Sequence, residues 1–454
     1  MRIIAVLFAT TAFAGAALAQ VAPPSEVLAV HDHVAAVSPE RLRSDVQALV
    51  HFGTRHTASE TESDTRGIGA ARRWIYDEFT RISEACGGCL EVMYVSEVIE
   101  GERRIPDPVD VVSVIAVQRG ALDPDRFTVM SGDIDSRITD AMNAVDDSPG
   151  ANDNATGVAG VLEAARVLSR HEFAGSIMYA ALAGEEQGLF GGRIVADYAL
   201  EQGWRIQAVL NNDMIGNIAG IDGVIDNSTA RVFSEGTRAT ETEREARLRR
   251  FTGGEVDSPS RNLARFIDRT ADQYVPNLDV MMVYRLDRFQ RGGHHRPFNQ
   301  AGMPAVRIME SHEHYSREHQ DLRDENARHF GDTRDYVDFD FVAKLTTLNI
   351  ATLAQIAGAP PIPAGVRIDG AVRPSTTVSW KRPEGRQAKN LMGYRVHWRL
   401  TDAPQWTHSR YVGDVTEFTL ENLVIDNFFF GVSAVAPDGS ETPVVFPGPP
   451  GSFG

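Results

Sequence analysis

The spacing of apolar residues predicts two early helices followed by short strands. Segments 39–50 and 66–83 carry apolar side chains at the three- to four-residue spacing of an amphipathic helix. In the second segment these positions are Ile68, Ala71, Trp74, Ile75 and Phe79. Strand-like apolar runs follow at 90–98, 111–118 and 127–131.

Helical and strand-like segments then alternate along the middle of the chain. They are a helix at 158–168, a strand at 176–183, a helix near 189–202, a strand at 206–212 and a last helix near 339–357. The charged stretch 234–273 predicts surface helix and loop. Because strands alternate with helices, we expect an α/β fold with a mixed, mostly parallel sheet sandwiched by helices.

The pattern changes at residues 359–363, where Ala-Pro-Pro-Ile-Pro forms a short, stiff linker. Beyond it, strand-like runs recur at 378–380, 393–398, 417–420 and 427–434. They predict a C-terminal all-β sandwich over 359–454, and the pattern resembles a fibronectin type III domain across most of 360–447. The linker also predicts few contacts across it and therefore a separable module. The role of this C-terminal module could equally be to stabilise the protein or to bind a substrate or a surface.

The N-terminus has the pattern of a secretory signal. Met1-Arg2 precedes an apolar run to Ala16, and Ala17-Leu18-Ala19 stands before Gln20. Residues 1–19 are therefore predicted to be a signal peptide, the alternative being an N-terminal membrane helix, for which the run is short. No other apolar stretch of the sequence is long enough to span a bilayer. We expect a secreted or periplasmic protein whose α/β domain covers 20–358.

Composition narrows the possible partners and the redox setting. The chain has 454 residues, 43% of them hydrophobic, which is enough for more than one domain. A formal net charge of −17 argues against a nucleic-acid partner. Cys86 and Cys89, in Cys-Gly-Gly-Cys, predict a small structural disulfide in an exported protein. A redox-active pair would need a thioredoxin-like context, and two cysteines cannot form a zinc ribbon.

Acidic motifs follow the strand-like runs in the middle of the chain. They contain Asp133 and Asp135, then Asp153, the pair Glu185-Glu186, and Asp213; the motif Glu-His319-Gln-Asp comes last. Carboxylates at strand ends of one sheet can converge on one pocket, where they repel each other unless a cation lies between them. The pattern therefore predicts a metal site with enough carboxylate for two ions.

Two of these motifs favour catalysis by a metal. Adjacent carboxylates diverge, so one of Glu185 and Glu186 can bind metal while the other faces the metal-bound water as a general base. A Glu-Glu pair is more often a solvated helix face, but here glycines flank it and an apolar strand precedes it. Asp153 could supply a carboxylate at a strand-to-helix turn, or could simply be part of an ordinary N-cap turn.

Taken in order, Asp153, Glu185-Glu186, Asp213 and His319 resemble the motifs of the zinc exopeptidase family, which includes bacterial leucyl aminopeptidases, glutamate carboxypeptidase-like proteins and glutaminyl cyclases. The resemblance covers roughly residues 40–357. It implies the zinc exopeptidase fold, with Asp153 bridging two zinc ions and Glu185 as general base. It also implies that Glu186 and His319 complete one metal site and that Asp213 belongs to the other. His314 is the second choice for the last ligand.

The first motif departs from that family. The family usually has His-x-Asp, whereas this chain has Asp133-Ile-Asp135. Asp133 would therefore bind metal itself, which is our preferred interpretation, with Asp135 beside it as a catalytic-site carboxylate and Arg137 as its neutralising partner. Alternatively His294 or His295 substitutes, or the site is weakened and one metal or none is kept. An all-oxygen shell would accept harder ions such as Mn²⁺ more readily.

These observations predict an exported metallopeptidase with two zinc ions. We expect an aminopeptidase acting on peptide substrates, in which a metal-bound hydroxide activated by Glu185 attacks the carbonyl. An acidic pocket would suit a free α-amino group. The alternatives are a glutaminyl cyclase-like acyltransferase with one zinc, and a catalytically silent binding protein on the same scaffold. Metal content separates the three.

Overall fold

The computed structural model describes residues 21–448, so the predicted signal peptide lies outside the described residues. Its helices are α1 Leu28–Ala35, α2 Pro39–His51, α3 Gly67–Ala85, α4 Thr156–Leu168, α5 Glu185–Gly188, α6 Phe190–Glu201, α7 Glu243–Thr252, α8 Pro259–Tyr274, α9 His295–Gln300 and α10 Phe339–Gly358. Among the described residues, no helix has the length and apolar character needed to cross a bilayer.

The strands follow in chain order. They are β1 Leu90–Ile99, β2 Val109–Gln118, β3 Asp123–Asp133, β4 Gly175–Leu182, β5 Arg205–Asn212, β6 Thr229–Phe233, β7 Asp279–Val283, β8 Ala305–Glu310, β9 Arg323–Glu325, β10 Arg328–Phe330, β11 Ala364–Asp369, β12 Thr376–Lys381, β13 Gly393–Leu400, β14 His408–Gly413, β15 Glu417–Leu420 and β16 Phe428–Val435.

One large mixed sheet organises the α/β domain. Its strand order is β1-β2-β4-β3-β5-β8-β6-β7. The central strands β4, β3, β5 and β8 are parallel, so their carboxyl ends meet at one edge. The predicted α/β fold, with a mostly parallel sheet between helices, is therefore confirmed.

Helices cover both faces of this sheet and bury two apolar cores. Helices α1 to α4, α8 and α10 contribute to the core on one face. Helices α6 and α9 pack on the other face, with side chains such as Ile194, Val195 and Phe298. The sheet is thus the middle layer of three, and only its strand ends are open to a pocket.

Helix α8 differs from the sequence-based expectation for the charged stretch 234–273. Helix α7 has no buried residue, as expected of a surface helix. Helix α8, however, buries apolar residues such as Leu263 and Ile267 together with Arg261 and Arg265. Its arginines made the segment look solvated, but they bind buried polar partners instead.

The C-terminal region is the predicted all-β sandwich. Two three-stranded antiparallel sheets, β11-β12-β15 and β14-β13-β16, enclose an apolar core. Trp380 and Tyr394 lie in this core with ring centroids 5.1 Å apart.

The expectation of few contacts between the two parts is wrong. Arg399 of β13 donates to both carboxylate oxygens of Asp257, at 2.7 and 2.9 Å, and Arg265 of α8 donates to the same carboxylate at 2.8 Å. All three side chains are at most 1% exposed. Trp406 Nε1 also donates to Asn262 Oδ1 at 3.0 Å. The sandwich is therefore docked through a buried ion-pair network that periodicity and linker composition do not reveal.

The predicted disulfide is confirmed. Cys86 and Cys89 are bonded, with Cα atoms 5.7 Å apart, and close the turn between α3 and β1.

Candidate metal centre

Three of the acidic motifs follow the carboxyl ends of the central parallel strands. Asp133 is the last residue of β3, and Asp213 directly follows β5. After β4, Gly184 adopts a left-handed backbone (φ 75°) and starts the short helix that contains Glu185 and Glu186. A residue with a Cβ is disfavoured at such a φ, so glycine allows the chain to turn sharply there.

Three of the predicted ligands come together. His319 Nε2 lies 2.8 Å from Asp153 Oδ2 and 2.8 Å from Glu186 Oε1. Within residues 21–448, these three form the only group of three or more His, Cys, Asp or Glu residues whose ligand atoms all lie within 4.8 Å of one another. One imidazole and two carboxylates are ligands that zinc accepts, so the residues present fit one zinc ion. His314 instead contacts Ser316 Oγ at 2.9 Å and is not in this group.

Arg137 contacts two members of the cluster, which is not the role predicted for it. It was expected to pair with Asp135, but its Nε donates to Glu186 Oε2 at 2.7 Å. Its Nη2 lies 2.6 Å from His319 Nδ1. His319 Nε2 is the nitrogen that faces the two carboxylates. Burial alone would lower the pKa of His319, but Glu186 and Asp153 raise it to about 10.

Glu185 lies beside the cluster and not in it. It lines the same pocket as Asp153, Glu186 and His319. Burial, helped by the nearby carboxylates of Asp213 and Glu186, raises the pKa of Glu185 well above its usual range. Its position in the pocket beside the three ligands is the one a general base requires, and that role remains a prediction.

Asp135 fixes the glutamate pair through the backbone. Its carboxylate accepts the N–H of Glu185 at 3.1 Å and the N–H of Glu186 at 3.0 Å. The hydroxyl of Thr57 donates to it as well, at 3.1 Å. Asp135 therefore determines where both glutamates project.

The structure does not bring Asp133 to the three-ligand cluster. Asp133 is 2% exposed; Asn154 Nδ2 donates to one of its oxygens at 2.8 Å, and His294 Nδ1 lies 2.5 Å from the other. His295, the other candidate substitute, contacts the carbonyl of Leu286 at 2.8 Å. Asp133 and His294 thus pair with each other, and neither residue lines the pocket.

Asp213 is held by an arginine that sequence reasoning missed. Arg307 Nη2 lies 2.8 Å from Asp213 Oδ2, and its Nε donates to the Asp213 carbonyl at 2.6 Å. Arg307 is fully buried and also pairs with Asp287 at 3.1 Å. Its signal in the sequence is a charged residue within the apolar run of β8, Ala-Val-Arg307-Ile-Met.

Asp332 is a second residue that the motifs did not indicate. Its carboxylate accepts the N–H of Asn152 at 2.8 Å and the N–H of Asp153 at 2.7 Å. It therefore holds the Asp153 turn as Asp135 holds the glutamate pair. It lies in a loop far along the chain, and no local pattern marks it.

A pocket of about 860 Å³ opens above the cluster, and its lining is less acidic than expected. Among the described residues, it is lined by five carboxylates and seven arginines. The arginines are Arg103, Arg104, Arg137, Arg193, Arg288, Arg291 and Arg296. The argument that an acidic pocket selects a free amino group is therefore not supported by the walls, which carry the positive charge.

Comparisons with known proteins point to a family of metallopeptidases. Residues 113–338 match the model of Peptidase family M28. A "Probable zinc metalloprotease" of Pyricularia oryzae is 42% identical over 417 residues, which cover 91% of this chain and 83% of that protein. Another from Leptosphaeria maculans is 40% identical over 436 residues, covering 96% of this chain and 100% of that one.

A solved structure, the LapA aminopeptidase of Legionella pneumophila, is similar in fold. It is 17% identical with a TM-score of 0.54, and the match covers 78% of each chain. The family match and the relatives lead to one conclusion: this chain belongs to peptidase family M28.

Proposed function

We propose that the protein is an exported zinc exopeptidase that removes N-terminal residues from peptides. The observation that carries the proposal is the group of Asp153, Glu186 and His319 with Glu185 beside it in one pocket. The names of the relatives support zinc, and the fold shared with LapA aminopeptidase supports an exopeptidase. Export rests on the predicted signal peptide of residues 1–19.

The chain's own groups have distinct tasks in this proposal. Asp153, Glu186 and His319 hold the zinc ion. When bound, zinc supplies a Lewis acid that polarises a carbonyl oxygen and lowers the pKa of water to about 7. Glu185 accepts a proton from the attacking water and passes it to the leaving amine. Asp135 keeps Glu185 directed into the pocket through the two backbone N–H groups.

The second ion predicted from the sequence would use Asp153 and Asp213. Arg307 already holds Asp213, and a guanidinium and a metal ion compete for the same carboxylate charge. We therefore infer that a second ion binds more weakly than the first. Asp133 would join it only by leaving His294 and Asn154.

A one-zinc acyltransferase of the glutaminyl cyclase type is the second candidate. The specific observation in its favour is that, among the described residues, only one group of three ligands forms. A peptide with N-terminal glutamine separates the two functions, since cyclisation keeps the residue and loses ammonia, whereas an aminopeptidase releases free glutamine.

Metal analysis combined with a panel of aminoacyl-p-nitroanilides tests the proposal. The two neighbouring glutamates provide a matched pair of variants. Glu185→Gln should lose about a hundredfold or more in kcat and keep its zinc, because it removes the base and leaves the ligands. Glu186→Gln should lose zinc as well. Near-normal turnover in Glu185→Gln, or no cleavage of any peptide by zinc-loaded protein, would refute the proposal.

A further inference from the structure

The arginines of the pocket are not equivalent, because four of the seven already have a carboxylate partner. Arg193 pairs with Glu97 at 3.0 Å, and Arg288 pairs with Glu313 at 2.8 Å. Arg291 pairs with Glu313 at 3.1 Å, and Arg137 is bound to Glu186. Within the described part of the chain, the pocket arginines without an ion pair are Arg103, Arg104 and Arg296.

Arg296 is the best placed of the three. Its Nη1 lies over Gly292, where a Cβ would come within 2.7 Å of it. The carbonyl of Gly292 accepts from Arg307 Nη1 at 2.7 Å, and Arg307 holds Asp213. Arg296 therefore lies on the pocket wall one residue away from the Arg307–Asp213 pair.

The charge of Arg296 is also incompletely satisfied. Its Nε is buried and, within residues 21–448, has no hydrogen-bond partner. A buried donor without a partner costs free energy, but Nε is too buried to meet a ligand, so a ligand oxygen would bind the part of the Arg296 side chain that lines the pocket. Arg104, from the turn between β1 and β2, donates to the carbonyl of Glu186, so it is held at the same pocket as the zinc ligands.

The positive charge on the walls of the pocket is opposite in sign to the net charge of the chain. The chain carries a formal net charge of −17, which repels anionic peptides at long range. Three guanidiniums without a carboxylate partner at one pocket therefore need a local explanation. Guanidinium groups bind carboxylates in a bidentate way, which a solvated lysine surface would not do.

We propose that Arg296, with Arg103 and Arg104, forms a subsite for a carboxylate of the peptide substrate. The inference rests on the proposed peptidase function and names its substrate class. The carboxylate has two possible sources, an acidic side chain at the cleaved residue or the C-terminal carboxylate of a short peptide. Both present the same planar anion to the guanidiniums.

Matched substrates test the subsite and separate its two sources. One pair compares N-terminal glutamate with glutamine; the other compares a dipeptide acid with its amide. We expect kcat/KM to favour the carboxylate about 10- to 100-fold in one of the pairs, the range expected for charge-assisted hydrogen bonds. Arg296→Gln should abolish that preference and change cleavage of a neutral leucyl anilide less than about threefold.

Arg193→Gln is the matched control. Arg193 is at the edge of the same pocket, but Glu97 holds its guanidinium and it is not part of the subsite. The preference should survive this substitution. Arg296→Lys keeps the charge without the bidentate geometry and should retain part of the preference, which controls for misfolding of Arg296→Gln.

The proposal is overturned if neither pair shows a preference for the carboxylate, or if Arg296→Gln retains it. Cleavage of neutral anilides without such a preference would refute the subsite and leave the peptidase intact. If zinc-loaded protein cleaves nothing, the peptidase fails, and calorimetry still tests the subsite through the binding of the same substrate pairs. Equal binding of acid and amide in both pairs would then reject it.

Discussion

Two buried carboxylates, Asp135 and Asp332, do the same work at different turns. Each accepts two consecutive backbone N–H groups, of Glu185 and Glu186 in one case and of Asn152 and Asp153 in the other. A carboxylate that takes two donors fixes the direction of the side chains they belong to. The site is thus positioned through its backbone as well as through its ligands.

Asp135→Asn tests this positioning role. An amide can accept only through its one oxygen, so one of the two N–H groups would lose its partner. We expect kcat/KM to fall about 10- to 100-fold, the loss in activity or metal affinity that is usual for groups that orient ligands, with zinc still bound at saturating metal concentration. Metal analysis and kinetics measure both quantities, and Asp135→Glu should be no better if the geometry is the cause. Wild-type activity in Asp135→Asn would contradict the role.

The strand-end argument located Glu186, because the carboxyl ends of parallel strands converge, whereas Asp153 and His319 were assigned to the metal site by the resemblance to the zinc exopeptidase family. The structure brings all three together. It did not find Arg307 or Asp332, because one belongs to a strand interior and the other to a distant loop. For Asp133, sequence position alone could not reveal that His294 occupies its carboxylate.

At the scale of elements, periodicity was informative wherever an apolar face was long. The predicted strand at 111–118 is β2, Val109–Gln118, and the predicted helix at 339–357 is α10, Phe339–Gly358. The hydrophobic pattern did not predict that helix α8 is buried, because its buried face includes arginines, which such a pattern counts as exposed. Short strands such as β6 and β7 have too few residues to show any period.

The disulfide links the end of helix α3 to the start of strand β1. It joins residues only three apart in sequence, so it restricts the unfolded chain little. Cys86→Ser/Cys89→Ser should cost about 2 kcal/mol of unfolding free energy and leave kcat/KM unchanged, because the pocket lining does not include either cysteine. Urea unfolding and an anilide assay measure these effects. Two free thiols found by mass spectrometry in undisturbed exported protein would show that the disulfide does not form there.

At the scale of the whole molecule, we expect the β-sandwich to stabilise the peptidase domain. Asp257 and Arg265 come from the α/β domain and Arg399 from the sandwich, and all three are buried together. Helix α10 and the linker are tied in as well, since Arg126 donates to the carbonyls of Ile356 and Ala359. A separable module would leave its boundary exposed, whereas this boundary buries charged side chains that pair with one another.

Removal of the sandwich should therefore destabilise the peptidase domain. A chain ending at Gly358 would expose Asp257 and Arg265 without Arg399, and we expect a lower melting temperature and aggregation.

Arg399→Met in the full chain isolates the ion pair: breaking a buried pair costs about 3 kcal/mol, because the remaining charge is left without its partner. Arg382→Gln is the control, since Arg382 pairs with Asp414 at 2.9 Å within the sandwich and both are roughly 40% or more exposed. Exposed pairs contribute about 1 kcal/mol or less, so this variant should unfold like wild type. If Arg399→Met and the truncated chain both melt at the wild-type temperature, the buried network does not stabilise the peptidase, and the sandwich is an independent module after all.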